Sequence, residues 1–210
     1  MLDCHTHVLP CIDDGAKSLD DGVALCVRLS ELGVTEVVAT PHWCSPRFNV
    51  VNEGIEEAWK TLHAAVGSRI PSLKLVLGCE HHLSGLQSPA AFVESMRPLG
   101  SGRCALIELP DDHLPPSTWT VLFAVLRAGL RPILAHPERC KGLSLSDEGL
   151  HAYVDSGGLL QVTLGHVLGA HGLIMRFKSR RMLKRYPKVF RQVRPVIVVR
   201  HRPYAAQIGI

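Results

Sequence analysis

The chain has 210 residues, an ordinary apolar fraction of 46% and a formal net charge of +4, values typical of one globular domain with a full core. No apolar run is long enough to span a bilayer, and Asp3 and His5 interrupt the opening residues too early for a signal peptide, so we expect a cytoplasmic protein without membrane insertion. The seven cysteines include no C-x-x-C pair, which argues against a disulfide framework and a structural zinc knuckle and favours buried, reduced thiols.

Charge is distributed unevenly along the chain. All 19 acidic residues lie within residues 1–155, whereas the remaining 55 residues carry 11 of the 23 Lys and Arg residues and no acid. This basic segment, residues 176–202, could bind nucleic acid or an acidic membrane surface. Aromatic residues are sparse in it, so we favour a solvated tail and expect no nucleic-acid partner. We therefore predict one domain over 1–210, with 176–210 as an atypical basic tail.

Strand and helix signals alternate from the start of the chain. An opening strand is followed by Ser18 and Asp21, whose spacing resembles a capping box, and Gly33 is placed to end the helix that they begin. The apolar residues at 36–40 then predict a strand. Helical spacing of apolar residues follows at 55–66, where Gly67 is expected to stop the helix.

The second half of the chain repeats this alternation. Residues 73–77 predict a strand, and Pro89 suits the first turn of a helix that reaches residue 96. The remaining predicted elements are a strand at 104–109, a helix between Ser117 and Gly129, a strand at 132–135, a helix at 147–155 capped by Ser146, and a strand at 159–163.

Repeated strand–helix units with nearly continuous apolar strands favour an α/β protein with a parallel sheet covered by helices. A (β/α) barrel is the preferred architecture, because its active site is built from the carboxyl ends of successive strands. A doubly wound open sheet is the alternative, and its site would draw on fewer strands.

Residues that commonly bind metal ions recur where the predicted strands end. Each one taken alone could be a surface or core residue, but a carboxylate that closes an apolar strand is costly to bury unless it is paired or bound to metal. Side chains two positions apart on a strand also point the same way. The candidate ligands are His5, His7, His42, Glu80, Glu108 and His136.

Four imidazoles and two carboxylates exceed what a single zinc ion needs and suit a cluster of two or three ions. Mixed nitrogen and oxygen ligands indicate manganese, iron or zinc and argue against calcium. Such a cluster activates water near neutral pH and stabilises an in-line displacement at phosphorus. The pattern thus predicts metal-dependent hydrolysis of a phosphate ester.

Three further residues could take part in this chemistry. Arg139 could hold phosphate oxygens in a bidentate fork, or form an ion pair with neighbouring Glu138. Asp13 and Asp14 follow the first strand, and one of them could orient water or bind metal. A plain Asp-Gly turn explains this pair equally well.

Together these motifs resemble the bacterial capsular and exopolysaccharide tyrosine phosphatases of the PHP (polymerase and histidinol phosphatase) superfamily. The matching segments cover about residues 1–172 and are Leu2-Asp3-Cys4-His5-Thr6-His7-Val8-Leu9-Pro10, Ile12-Asp13-Asp14-Gly15-Ala16-Lys17, Ala39-Thr40-Pro41-His42, Gly78-Cys79-Glu80, Leu106-Ile107-Glu108 and Ala135-His136-Pro137-Glu138-Arg139.

The resemblance implies a distorted (β/α)7 TIM-like barrel, a manganese cluster, and hydrolysis of phosphotyrosine on a protein, namely a bacterial tyrosine kinase that controls polysaccharide export. It also implies that the six candidate ligands bind the metal ions. Arg139 takes the place of the family's phosphate-binding arginine. Asp14, from the Asp-Asp-Gly pattern, is the other residue that we predict to be catalytic. Oligomeric state is left open.

The chain departs from the family pattern near its end. Gly165-His166 stands where the family has Gly-Ser, and Val199-Arg200-His201-Arg202-Pro203 stands where the family has Ser-Asp-x-His followed by Arg-Pro. His201 takes the place of a further metal ligand, but Val199 replaces the aspartate and cannot bind metal. We therefore expect a barrel that is incomplete at the C-terminus and an impaired activity. The alternative is an inactive relative that acts as a phosphoprotein-binding module or is a truncated product.

Overall fold

Parallel strands alternate with helices in the part of the chain that the computed structural model describes, residues 1–187. The strands are β1 (Leu2–Thr6), β2 (Glu36–Ala39), β3 (His42–Trp43), β4 (Lys74–Leu77), β5 (Glu80–His82), β6 (Cys104–Glu108), β7 (Arg131–Ala135) and β8 (Leu159–Gln161). The helices are α1 (Leu19–Glu31), α2 (Asn52–Arg69), α3 (Pro89–Glu94), α4 (Thr118–Arg127), α5 (Glu148–Asp155), α6 (Leu164–Leu168) and α7 (Leu173–Arg185). All strand pairs given for these residues are parallel, which confirms the predicted α/β class.

The strands pair in the orders β1-β2-β4 and β3-β5-β6-β7-β8. The chain passes directly from the first sheet to the second at two places. There β3 begins shortly after β2 ends, and β5 begins shortly after β4 ends. Pro41 lies in one break and lacks the N–H that a continuous ladder needs. Hydrogen bonds still cross the breaks, since Gly78 N–H donates to Ala39 O and Glu80 N–H donates to Pro41 O, both at 2.9 Å. The short strands therefore present His42 and Glu80 just beyond the ends of β2 and β4.

Two apolar clusters hold the helices on the sheets. One packs α1 and α2 on β2 and includes Leu29, Val37 and Leu62. The other packs α4 on β7 and includes Leu122 and Leu134. Complete burial of a leucine side chain contributes about 1.5–3 kcal/mol, so these clusters account for much of the stability that fixes the strand ends.

Most predicted elements are confirmed, with some corrections at their ends. Ser18 caps α1, because its Oγ accepts a hydrogen bond from Asp21 N–H at 3.1 Å. The prediction that Gly67 stops the second helix is wrong: α2 continues to Arg69. It ends at Ile70, which precedes Pro71 and is therefore biased away from the helical conformation.

The predicted start of α5 is also corrected. Asp147, not Ser146, is its N-cap, and its Oδ1 accepts hydrogen bonds from Gly149 N–H and Leu150 N–H. Ser146 Oγ instead lies 2.8 Å from Ser144 Oγ. The sequence did not predict β3, β5, α6 or α7, because each is short or lacks a clear apolar period.

The predicted seven-stranded barrel and the single domain over 1–210 remain predictions. An apolar stretch at 196–199, which could supply a last strand, lies outside the described residues, as does His201. The start of the predicted basic tail lies in α7. Within residues 1–187, none of the helices combines the length and hydropathy that crossing a bilayer requires.

Candidate metal centre

The six predicted ligands lie together at the carboxyl side of the strands. Each belongs to a strand or directly follows one, and each is buried, with at most 9% of its surface exposed. They come from β1, β3, β5, β6 and β7: His5, His7, His42, Glu80, Glu108 and His136.

The carboxylate of Glu80 is at the centre of this cluster. Its Oε1 lies 2.8 Å from His136 Nε2 and 3.2 Å from His5 Nε2. Its Oε2 lies 3.2 Å from His7 Nε2 and 3.2 Å from His42 Nδ1. Four imidazoles thus surround a fully buried carboxylate, an arrangement that would suit ligands of divalent cations.

A second carboxylate, Glu108, extends the cluster towards β6. Its Oε2 lies 3.4 Å from His42 Nδ1 and 3.3 Å from His82 Nδ1, and its Oε1 lies 3.7 Å from His136 Nε2. His42 and His136 therefore lie close to both Glu80 and Glu108.

The carboxylates raise the pKa of two imidazoles. Burial by itself lowers the pKa of His7, but hydrogen bonds with Asp13 and Glu80 outweigh it and raise the pKa to about 9. Burial likewise opposes the charged form of His42, whose pKa is raised to about 10 by its carboxylate partners, Asp14 first. Protons and metal ions therefore compete for the same nitrogen atoms.

The reverse effect acts on Glu80. Burial favours its neutral form, but the charge of His5 and hydrogen bonds from the surrounding imidazoles hold its pKa well below its ordinary value. His5 differs from His7 and His42, because its contacts with Glu80 do not outweigh burial and its pKa is lowered. The centre thus holds an ionised carboxylate in a buried position that calls for cations.

Two buried atoms show that the residues fit a metal cluster. Among the described residues, neither His42 Nδ1 nor Glu80 Oε2 has a hydrogen-bond partner in good geometry, although the two atoms lie 3.2 Å apart and Oε2 is also 3.2 Å from His7 Nε2. About 3 Å is the separation expected for two atoms bound to one ion at about 2.1 Å. Within residues 1–187, three sets of residues have ligand atoms within 4.8 Å of one another: His5, His7 and Glu80; His7, Asp14 and His42; and His42, Glu80 and Glu108.

Asp13 and Asp14 differ in position. Asp13 Oδ2 lies 2.8 Å from His7 Nδ1 and accepts a hydrogen bond from His42 N–H at 3.0 Å. It therefore orients a candidate ligand from behind, as carboxylates do in metal sites. The side chain of Asp14 is 53% exposed, and its Oδ1 lies 3.6 Å from His42 Nε2 at the mouth of the site.

Arg139 lies beside the cluster. Its Nη1 is 4.0 Å from Glu108 Oε1, and its Nη2 donates a hydrogen bond to Asp111 Oδ2 at 2.7 Å. Glu138, the alternative partner, instead accepts a hydrogen bond from Thr163 N–H at 2.9 Å and lies 2.6 Å from His166 Nδ1. The guanidinium is thus held at the site and not against its sequence neighbour.

The backbone of His136 is strained. Its φ of 32° and ψ of 52° place it in the left-handed region, although it is not a glycine and precedes Pro137. Such a conformation costs about 1–3 kcal/mol and is found mainly at functional sites. It directs the imidazole towards Glu80.

Three residues of the site were not predicted. Gln161 Oε1 lies 2.6 Å from His5 Nδ1, His82 contacts Glu108, and Asp111 contacts Arg139. The spacing of His82 from Glu80 places both on one face of β5 and could have indicated it. Gln161 ends an apolar strand, as the predicted ligands do, whereas no sequence pattern marked Asp111.

Residues 1–190 match the family described as capsular polysaccharide synthesis, CpsB/CapC. Among curated relatives, the putative tyrosine-protein phosphatase CapC of Staphylococcus aureus is 28% identical over 183 residues, which cover 87% of this chain and 72% of CapC. Tyrosine-protein phosphatase YwqE of Bacillus subtilis is 26% identical over 184 residues, which cover 88% of this chain and 72% of YwqE.

A solved structure is similar as well. It comes from work on YwqE from Bacillus subtilis and CpsB from Streptococcus pneumoniae, described there as metal-dependent tyrosine phosphatases. The TM-score is 0.76 at 26% identity, and the match covers 88% of this chain and 74% of the other. The resemblance drawn from the motifs is thereby confirmed, and this chain belongs to the CpsB/CapC family of capsular polysaccharide synthesis proteins.

Proposed function

We propose that this chain is a metal-dependent phosphatase that hydrolyses phosphotyrosine on a protein. The observation that carries the proposal is the environment of the buried Glu80 carboxylate. Four imidazoles lie within 3.2 Å of it, and they come from three strands or from the residues that directly follow them. Relatives named as tyrosine-protein phosphatases supply the substrate class.

Six residues would hold the metal: His5, His7, His42, Glu80, Glu108 and His136. When bound, two or three divalent cations supply an activated water and neutralise charge on the phosphoryl group. The mixed nitrogen and oxygen ligands fit manganese, iron or zinc, and manganese is the proposed ion because the resemblance to the family implies it. His201 is a further proposed ligand on the basis of its sequence motif alone.

Two residues would act directly on the substrate. The planar fork of Arg139 suits two phosphoryl oxygens, and its Nη1 is buried without a hydrogen-bond partner among the described residues. Asp14 is half-exposed at the mouth, where a carboxyl group can hold or donate a proton at the departing tyrosine oxygen. Asp13 would keep His7 in the orientation that metal binding needs.

The remaining proposals concern context. We place the protein in the cytoplasm, a location that its seven unpaired cysteines support, and take a bacterial tyrosine kinase that controls polysaccharide synthesis as its partner. The strands would close as a distorted (β/α)7 barrel, which the contact between His5 on β1 and Gln161 on β8 supports.

A second candidate is a phosphoprotein-binding module with little catalysis. It is favoured by Val199, which stands where the family motif has a metal-binding aspartate. The six ligands before it could still hold ions and a phosphate group without rapid turnover.

One experiment separates these functions. Bound metal would be measured on the purified protein, and hydrolysis of p-nitrophenyl phosphate, a phosphotyrosine peptide and a phosphoserine peptide would be followed with added manganese. We expect manganese-dependent hydrolysis that favours the phosphotyrosine peptide, with loss of metal and activity in Glu80→Gln. The control is Glu36→Gln, since Glu36 forms an exposed ion pair with Lys74 on the sheet. Phosphopeptide binding without turnover would favour the binding module.

A further inference from the structure

A second arginine lies beside Arg139 at the edge of the site. Arg47 is in the loop after β3, and its Nη2 donates a hydrogen bond to Asp111 Oδ2 at 3.0 Å. Arg139 Nη2 donates to the same oxygen at 2.7 Å. The loops that follow β3, β6 and β7 therefore meet at a single carboxylate oxygen.

The two guanidinium groups differ in exposure. The side chain of Arg139 is 15% exposed, whereas that of Arg47 is 52% exposed. The pKa of Arg47 is raised, first by its hydrogen bond with Asp111 and also by the charges of Glu108 and Asp14. Arg47 thus lies within the electrostatic field of the cluster.

A phosphate monoester carries up to two negative charges and three terminal oxygens. One guanidinium can bind two of these oxygens in a fork, which leaves the third without a partner on this side. Asp111 offers one negative charge against the two guanidinium groups, so the trio keeps a net positive charge beside the metal ligands. Its shape and charge therefore suit a phosphoryl group.

We propose that Arg47 is a second phosphate-binding residue, which positions the substrate phosphoryl group together with Arg139 while Asp111 holds the two guanidinium groups side by side. This inference rests on the proposed phosphatase function and names a residue that binds its substrate. Because Arg47 is half-exposed, it would contribute to binding and not to the chemical step.

The test measures phosphate binding directly. Inorganic phosphate is titrated calorimetrically into the manganese-loaded wild type, Arg47→Ala, Arg47→Lys and Arg28→Ala, whose arginine forms an exposed ion pair with Glu31 on α1. We expect Arg47→Ala to weaken phosphate binding about tenfold, the effect of one charge-assisted hydrogen bond. The KM for p-nitrophenyl phosphate should rise by a similar factor with kcat nearly unchanged. Lysine should restore part of the affinity, and Arg28→Ala should match the wild type.

Unchanged phosphate affinity and KM in Arg47→Ala would reduce Arg47 to a surface ion pair and overturn the inference. A loss of bound manganese in that variant, or no phosphate binding by the wild type, would overturn it as well. A wild type that binds phosphate but turns over no ester refutes the proposed function alone, because the titration still decides the role of Arg47.

Discussion

Position within the site separates residues that look alike in the sequence. Asp13 and Asp14 are neighbours of the same chemical type, yet Asp13 is buried against His7 and Asp14 lies at the mouth beside His42. Their roles in the proposed reaction therefore differ, although the pattern Asp-Asp-Gly gave them equal weight.

We expect Asp13→Asn and Asp14→Asn to fail in different ways. Asp13→Asn removes the charge that orients His7, so metal affinity should fall about 10–100-fold. Asp14→Asn should keep the metal and lower kcat, because it removes a proton-carrying group. Metal titration and steady-state kinetics on both variants check this. Equal metal loss in both would contradict the division of roles.

Arg139→Lys tests the role of the guanidinium. Lysine keeps the positive charge and loses the planar fork, so we expect kcat/KM for p-nitrophenyl phosphate to fall about 10–100-fold, with bound manganese almost unchanged. Metal analysis and kinetics on the same preparation provide the comparison. If both properties declined together, Arg139 would be structural.

At the scale of secondary-structure elements, the breaks in two strands place the ligands. Pro41 ends one ladder, and Gly78 allows a close approach, since a Cβ at that position would lie 2.8 Å from Leu99 Cδ2. After each break a short strand starts with a ligand, His42 or Glu80, and these two residues are directly paired in the β3–β5 register. Their adjacency is thus a property of strand pairing.

The corrected cap of α5 gives a prediction about stability. Asp147→Ala removes the acceptor of two backbone N–H groups, so the free energy of unfolding should fall by about 1 kcal/mol. Ser146→Ala should change it by less than about 0.5 kcal/mol, because Ser146 lies before the cap. Urea unfolding of both variants measures the difference. A larger loss for Ser146→Ala would restore the cap expected from the sequence.

At the scale of the whole molecule, the candidate metal centre joins strands from both sheets, since His5 belongs to β1 and Glu80 to β5. Manganese that binds to this centre should stabilise the folded chain, because it binds the folded state and not the unfolded one. At free manganese 100-fold above its Kd, the gain is about 2.7 kcal/mol, which corresponds to a rise in Tm of about 5–10 °C. Thermal unfolding with manganese and with a chelator measures it. Glu80→Gln is the control and should show little shift.

The C-terminal departure from the family motif gives the last prediction. Val199→Asp introduces the carboxylate that the motif has and should raise both the number of ions bound per chain and the turnover of p-nitrophenyl phosphate. Metal analysis and kinetics compare it with Val199→Asn, which has a similar shape and no charge. The expected impairment would be refuted if the wild-type chain, without added manganese, were as active as a family member that has the complete motif.

The sequence by itself was sufficient for the α/β class, for most of the elements and for the residues that converge at the centre. Its signals were local. Apolar runs predict strands, and a ligand-type residue such as Glu108 ends several of these runs. Because parallel strands end on the same side of a sheet, such residues are expected to lie together at one edge. The tertiary structure decided the pairings between side chains. Asp111 lies between Arg47 and Arg139, 64 and 28 residues away, and no local pattern encodes such contacts, since they depend on which loops the packing of the sheets and helices brings together.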